Sequence, residues 1–185
     1  MAAICVFCAS SRVLEQRWLD LAYQVGAELA ERGHQLVSGG GCVGMMGAVA
    51  AGARSGGART TGVIPRALVD REIADSDADE LLVTDGMASR KVLMMDKSDA
   101  FLTLPGGLGT LDELFEVWTT SVLSMHRKPV VLLDHDGFYA DLLRWLRGLV
   151  PAGFAGADAI ADLVVVDTAP GALDAIEARL DGAAP

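Results

Sequence analysis

Two glycine-rich segments of this 185-residue chain have the composition of loops that bind a phosphate group. The first reads GGGCVGMMG over residues 39–47, and the second reads PGGLGTLDE over residues 105–113. Glycines let backbone N–H groups approach an anion closely, and a helix that begins beside such a loop adds free N–H groups and the positive end of its dipole. The sequence therefore predicts an anion site that needs no lysine.

Glu113, at the end of the second segment, is the candidate catalytic carboxylate. Thr110 and Glu113 also have the spacing of a capping box, in which the glutamate side chain accepts a hydrogen bond from the N-cap amide. Alternatively, a carboxylate beside a bound phosphate ester could stabilise a cationic ribosyl centre, bind ribose hydroxyls or activate water. The spacing alone leaves both interpretations open.

Arg90 is the second candidate for chemistry, and it lies in a helix predicted over about residues 88–97. Its guanidinium group always carries a charge and offers a planar fork of donors. Such a group could orient a phosphate or stabilise a departing purine, and the sequence does not choose between these roles. The alternative is an exposed helix arginine that pairs with an acidic side chain.

Strands and helices alternate along the elements that must position these residues. Short apolar runs predict strands at 3–8, 35–38, 60–64, 81–84, 100–104, 129–133 and 163–166. Apolar residues at helical spacing predict helices near 18–29, 45–54, 88–97, 110–124, 138–149 and 172–180. This alternation predicts an α/β fold, a Rossmann-like open parallel sheet with helices on both faces.

Residues 1–185 contain no linker or repeat, so we expect a single nucleotide-binding α/β domain. Ligands of such sheets bind beyond the carboxyl ends of the strands, where both glycine segments fall. Gly39, Gly41 and Gly44 also match G-x-G-x-x-G, but this segment follows the second strand and no acidic residue ends the next one. A nicotinamide dehydrogenase is therefore disfavoured, and a phosphate or ribose cradle competes with a simple tight turn.

The formal net charge of −10 disfavours nucleic-acid binding, which requires a basic surface. No apolar run approaches the ~18 residues of a membrane span, and the N-terminal MAAICVFC lacks a basic region, so we expect a cytoplasmic protein without membrane contact.

Cys5 and Cys8 should face opposite sides of a strand as core residues. The three histidines lack metal-ligand spacing, so no metal is expected.

Three motifs together resemble the LOG (lonely guy) family, once labelled lysine decarboxylases. They are GGGxxGxMG at 39–47, Arg-Lys at 90–91 and PGGxGTxxE at 105–113, and the resemblance runs from Val6 to about Leu143. It implies a cytokinin-activating phosphoribohydrolase without a cofactor. Such an enzyme hydrolyses the N-glycosidic bond of N6-substituted adenosine 5′-monophosphate and releases the free base and ribose 5-phosphate.

The resemblance also implies roles for individual residues. Arg90 and Glu113 match the catalytic pair of the family. The matching substrate-binding positions are Glu72, Lys91, Gly106, Gly107, Leu108, Gly109, Thr110, Leu111, Asp112 and Thr119, and we add Gly40 and Gly41 from the first glycine segment. Members of the family are homodimers or larger assemblies with the site near the subunit interface.

The chain departs from the family pattern mainly at 120–126, where it reads TSVLSMH instead of WAQLGIH, so the preferred base stays open. A non-catalytic nucleotide-binding or sensor module on the same fold is the alternative function. It is disfavoured because a binding module does not need both Arg90 and Glu113. A pyridoxal-phosphate decarboxylase would need a Schiff-base lysine, and none of the three lysines has that setting.

Overall fold

The computed structural model describes residues 1–72 and 74–182, apart from the side chains of residues 70–72. The strands in this part are β1 (Ala3–Phe7), β2 (Gln35–Ser38), β3 (Thr60–Pro65), β4 (Glu80–Thr84), β5 (Ala100–Thr103), β6 (Val130–Leu133) and β7 (Val164–Val166). The α-helices are α1 (Gln16–Glu31), α2 (Gly44–Ser55), α3 (Arg66–Glu72), α4 (Met87–Asp96), α5 (Leu108–Val122), α6 (Ala140–Gly148), α7 (Ala157–Asp162) and α8 (Ala169–Gly182). None of these helices is long and apolar enough to cross a membrane.

The strands form one parallel sheet in the order β4-β3-β2-β1-β5-β6-β7, which confirms the predicted Rossmann-like fold. The chain runs outward from β1 in one direction to β4 and then returns to the other side of β1 as β5. Phe7 at the end of β1 pairs with Thr103 at the end of β5. The loops after these two strands therefore diverge at the topological switch point, where open α/β sheets bind ligands.

Helices cover both faces of the sheet, and the side chains of β1 alternate between the two layers. Ile4 and Val6 pack with α1, α2 and α8, whereas Cys5 and Phe7 pack with α4, α5 and α6. Cys8 joins the same layer as Ile4 and is buried, like Cys5. The prediction that the two cysteines face opposite sides as core residues is confirmed.

The helices with a clear apolar period were predicted from the sequence, and two short helices were missed. Residues Leu21, Ala22, Val25 and Leu29 form the buried stripe of α1. Helices α3 and α7 span only 7 and 6 residues, too few to show a helical period, and the sequence predicted neither. Helix α5 begins at Leu108 rather than Thr110, and this difference changes the interpretation of Glu113.

Helices α1 and α2 pack at a distance that only glycine permits. A Cβ on Gly26 would lie 2.1 Å from the carbonyl oxygen of Val49 and 2.7 Å from the backbone nitrogen of Ala53. These atoms belong to the backbone of α2 and cannot rotate away. The contact fixes α2, whose N-terminal residues follow the first glycine segment.

We predict that Gly26→Ala lowers the free energy of unfolding by about 1–3 kcal/mol, because the two helices must separate to admit the methyl group. Urea denaturation of the two proteins measures the difference. Gly148→Ala is the matched control, since a Cβ there meets nothing within 4 Å and should change stability by less than about 0.5 kcal/mol. Equal stability of Gly26→Ala and wild type would contradict the packing described.

Candidate functional site

A cavity of about 390 Å³ lies at the switch point of the sheet. Its walls come from the loop after β1, from helices α2, α3 and α4, and from the start of α5. The lining residues are Cys8, Ala9, Ser10, Ser11, Met46, Leu68, Met87, Arg90, Gly107, Gly109, Thr110 and Glu113. The structure thus brings the two predicted catalytic residues, Arg90 and Glu113, to one cavity together with part of the second glycine segment.

The capping-box interpretation of Glu113 is wrong. Gly107, in an extended conformation, is the N-cap of α5, and its carbonyl accepts the N–H of Leu111 at 3.0 Å. Thr110 and Glu113 therefore lie inside the helix, where the glutamate does not cap the N-terminus. Glu113 is instead 8% exposed and lines the cavity.

The first turn of α5 provides an anion-binding surface at the wall of the cavity. Its N–H groups have no intrahelical carbonyl partners, and the helix dipole is positive at this end. Gly107 and Gly109 line the cavity, and the positions of their absent Cβ atoms meet nothing within 4 Å. A Cβ on Gly106 would lie 2.2 Å from Thr110 Oγ1, so this glycine allows the loop to turn tightly against the helix.

The backbone of two neighbouring strands holds the Arg90 guanidinium. Its Nε donates to the carbonyl of Val63 at 3.0 Å, and its Nη2 donates to the carbonyl of Gly39 at 3.0 Å. Nη1 lies 3.8 Å from the sulfur of Met87. Arg90 is 4% exposed, so the interpretation as an exposed helix arginine is wrong.

The first three glycines of the first glycine segment do not line the cavity, and Gly39 among them positions Arg90. A Cβ on Gly39 would lie 2.0 Å from Arg90 Nη2, so the guanidinium occupies the space that a side chain would need. Gly40 has a φ of +73°, which favours glycine, and Gly41 forms an isolated antiparallel bridge with Ala74. Gly40 and Gly41 are buried and do not belong to the cavity lining.

Lys91 and Asp112 lie beside the cavity and contact each other. Lys91 Nζ is 3.0 Å from Asp112 Oδ2 and 2.5 Å from Glu116 Oε2, so these ion pairs connect α4 to α5. The hydrogen bond that Lys91 donates to Glu116, together with those it donates to Asp112, raises the pKa of Lys91 despite its partial burial. The lysine is thus directed towards the α5 acids, and neither Lys91 nor Asp112 lines the cavity.

The remaining predicted residues lie outside the cavity lining. Leu108 and Thr119 are exposed and Leu111 is half-buried. The side chain of Glu72 lies outside the described residues. Gly106 borders a smaller apolar cavity of about 270 Å³ next to the main one.

Several residues that line the cavity were not predicted as site residues. Ser10 and Ser11 follow β1, and Leu68 lies on the unpredicted helix α3. The position of the loop after the first strand was a usable signal, since this loop borders the switch point of such sheets. Among the residues that the structure describes, no group of histidine, cysteine and acidic side chains could hold a metal ion.

The sequence matches a known family and several named proteins. The family model described as "possible lysine decarboxylase" matches residues 46–176. A cytokinin riboside 5′-monophosphate phosphoribohydrolase of Mycobacterium tuberculosis is 52% identical over 172 residues, which cover 93% of this chain and 91% of that protein. The Oryza sativa subsp. japonica protein named cytokinin riboside 5′-monophosphate phosphoribohydrolase LOG is 43% identical over 166 residues, covering 90% of this chain and 69% of that protein.

Solved structures share the fold at lower sequence identity. A molybdenum cofactor carrier protein from Chlamydomonas reinhardtii has a TM-score of 0.72 and 24% identity, covering 97% of this chain and 98% of that one. A molybdenum cofactor binding protein from Rippkaea orientalis has a TM-score of 0.70 and 23% identity, covering 96% of each chain. At this sequence identity, the similarity shows only that these proteins share the fold of this chain.

The electrostatics of the cavity predict which thiols react. Burial and the negative charge of Glu113 raise the pKa of both Cys5 and Cys8, whereas Cys42 is exposed. We expect only Cys42 to react rapidly with a chromogenic aromatic disulfide at about pH 8, because the thiolate is the reactive form. The number of chromophores released per protein chain should rise from one to three when urea unfolds the protein, because the chain has three cysteines.

Cys42→Ser is the matched control for this measurement, since it should remove the fast phase and leave the two slow thiols. Rapid modification of either remaining thiol in the folded Cys42→Ser protein would contradict the burial of Cys5 and Cys8 beside the negative charge of Glu113.

Proposed function

The chain belongs to the LOG family, which its family model describes as possible lysine decarboxylase, and we propose that it is a nucleotide phosphoribohydrolase. In the proposed reaction water adds its hydroxyl group to C1′ of adenosine 5′-monophosphate, or of an N6-substituted form, while the C1′–N9 bond breaks. The base leaves with a proton, and the products are the free base and ribose 5-phosphate. The observation that carries this proposal is the presence of buried Arg90 and Glu113 in one cavity with the α5 N-terminus.

The 5′-phosphate would bind at the first turn of α5. Gly107, Gly109 and Thr110 supply backbone N–H groups there, and the helix dipole favours the anion. Ser10 and Ser11 also line this cavity, and their hydroxyl groups can donate to phosphate oxygens. This arrangement supports phosphate binding in a protein of net charge −10 without a lysine in the cavity wall.

The strand order supports a position for Arg90 at the base end of the nucleotide. Helix α5 follows β5, whereas Arg90 is bonded to carbonyls at Gly39, just after β2, and at Val63 in β3. These strands lie two and three places from β5, and a spacing of about 4.8 Å places them about 10–14 Å away. This separation is comparable to the span from phosphate to base, so Arg90 is proposed to stabilise negative charge on the departing base.

Glu113 lies one helical turn beyond Thr110 and lines the same cavity, so we place the ribose of the nucleotide beside it. A carboxylate there can stabilise the oxocarbenium-like ribosyl centre or take a proton from the attacking water. Holding the phosphate on the same helix would fix the distance between this carboxylate and C1′. Glu113 is thus proposed to act on the ribosyl centre or the attacking water, and Arg90 on the departing base.

The wall near Arg90 supports a substrate with an apolar N6 substituent. Met46, Leu68 and Met87 line the cavity, and the sulfur of Met87 lies near the Arg90 guanidinium. Methionine adapts its shape to irregular apolar ligands because its side chain is unbranched and flexible. Unsubstituted adenosine 5′-monophosphate would leave part of this wall without contact.

The proposal extends to assembly and location. We propose a cytoplasmic homodimer with the site near the interface, and the net charge of −10 supports the exclusion of nucleic acid as a partner. Strand β4 is an edge strand, and exposed apolar side chains lie on it and on nearby helices, including Val83, Val92 and Leu123. Met87, which lines the cavity, is 44% exposed, so a second copy over this surface would approach the site.

The direct test is incubation of the purified protein with adenosine 5′-monophosphate and chromatographic detection of adenine and ribose 5-phosphate. N6-isopentenyl adenosine 5′-monophosphate should have a higher kcat/KM because of the apolar wall. Adenosine should be a poor substrate, since it lacks the phosphate that α5 is proposed to bind. Equal turnover of adenosine would contradict phosphate anchoring, and binding of nucleotide without any product would favour the non-catalytic module.

We predict that Glu113→Gln lowers kcat at least about 100-fold, because the amide keeps the size of the side chain but cannot carry the negative charge. KM should change much less, since the proposed phosphate contacts remain. Circular dichroism and thermal unfolding of the variant verify that it is folded. A folded Glu113→Gln protein with near-wild-type kcat would remove Glu113 from the mechanism.

A further inference from the structure

A buried ion pair outside the cavity joins α2 to the segment before β4. Asp75 Oδ2 lies 2.8 Å from Arg54 Nη1, and the Asp75 side chain is only 5% exposed. A second oxygen of the same carboxylate accepts the N–H of Asp77 at 3.2 Å. Burying a carboxylate is costly unless it is paired, so this pair holds its segment in a defined place. We refer to Arg54 and Asp75 together as the tether.

The backbone at the tether is bonded to the first glycine segment. The N–H of Asp75 donates to the carbonyl of Gly40 at 2.8 Å, and Ala74 forms the antiparallel bridge with Gly41. Gly40 has a positive φ, which glycine adopts readily, and because glycine is also free to adopt other conformations, contacts are needed to hold the loop in this one. The tether therefore holds the loop through backbone contacts, and neither Arg54 nor Asp75 lines the cavity.

The same loop determines where the Arg90 guanidinium lies. The carbonyl of Gly39, adjacent to Gly40, accepts the hydrogen bond of Arg90 Nη2 at 3.0 Å. The guanidinium also fills the space beside Gly39, where a Cβ would lie 2.0 Å from Nη2. A shift of the loop would thus move an acceptor of the arginine and change the space available to it.

We propose that Asp75 is a positioning residue for the hydrolysis, because the tether holds the glycine loop that orients Arg90. This inference rests on the proposed function, since it gives Asp75 an effect on catalysis without contact with substrate. Displacement by about 1 Å of a group that acts on the reacting centre can cost about 100-fold in rate. The phosphate site at the α5 N-terminus does not involve the tether, so the effect should fall on kcat rather than KM.

Asp75→Asn tests the proposal, and Asp79→Asn is its matched control. Asp79 also accepts backbone and hydroxyl hydrogen bonds, from Thr60 at 2.7 Å and 3.1 Å, but it directly precedes β4, bonds to the first residue of β3 and does not line the cavity. Both variants lose a carboxylate that stabilises a chain segment. We expect kcat for adenosine 5′-monophosphate to fall at least about 10-fold in Asp75→Asn, with KM nearly unchanged and Asp79→Asn close to wild type.

Arg54→Gln should reproduce the kcat of Asp75→Asn, and the double variant should be no slower than either single one, since all three break the same pair. Deuterium exchange of the peptide that contains residues 39–42 provides a readout independent of activity. Exchange should be faster in Asp75→Asn and unchanged in Asp79→Asn. Unaltered exchange in Asp75→Asn would show that the tether does not hold the loop.

Equal kcat values for Asp75→Asn and Asp79→Asn, in a protein whose wild type releases adenine, would overturn the positioning role. A wild type that releases no base would instead overturn the proposed function, while deuterium exchange still decides whether the tether restrains the loop. The two failures are therefore distinguishable.

Discussion

The site depends on the burial of one guanidinium group against the backbone of two strands. Removing a charge from water is costly, and Arg90 is held by carbonyl oxygens at Gly39 and Val63 that compensate part of this cost. The burial of Arg90 explains why the residue after β2, Gly39, is a glycine, because the guanidinium occupies the space that a side chain would need there. It also explains why the neighbouring loop must be fixed: Asp75, which pairs with Arg54, donates its backbone N–H to Gly40 of that loop.

The acidic composition and the proposed anion site are compatible because the positive field is local. The first turn of α5 and the Arg90 side chain both line one cavity, and neither depends on the net charge of the surface. Lys91, expected from the family resemblance to bind substrate, forms ion pairs with Asp112 and Glu116 beside the cavity. Its charge is thus largely balanced by those acids, which fits the proposal that the phosphate binds at the α5 N-terminus.

The sequence predicted the fold from the alternation of short apolar runs and periodic helices, and it predicted Arg90 and Glu113 from motifs. It did not show that β5 returns beside β1, since strand order depends on packing. The cavity positions of Ser10 and Ser11 were missed although they follow the first strand, which borders the switch point of such sheets. The capping box at Thr110 was wrong because Gly107 caps the helix one turn earlier. The hydrogen-bond partners of a buried side chain are often distant in sequence and so could not be predicted either, as the hydrogen bond from Arg90 to the Gly39 carbonyl illustrates.

The most direct test of this account is the effect of Arg90→Lys on kcat and KM for adenosine 5′-monophosphate, in a variant that thermal unfolding shows to be folded. Lysine keeps the charge but lacks the planar fork that bonds the carbonyls of Gly39 and Val63. We expect a kcat at least about 100-fold below wild type with KM little changed, since Arg90 is proposed to act on the departing base. A wild-type kcat with a greatly raised KM would contradict it, because that result would put Arg90 at the phosphate.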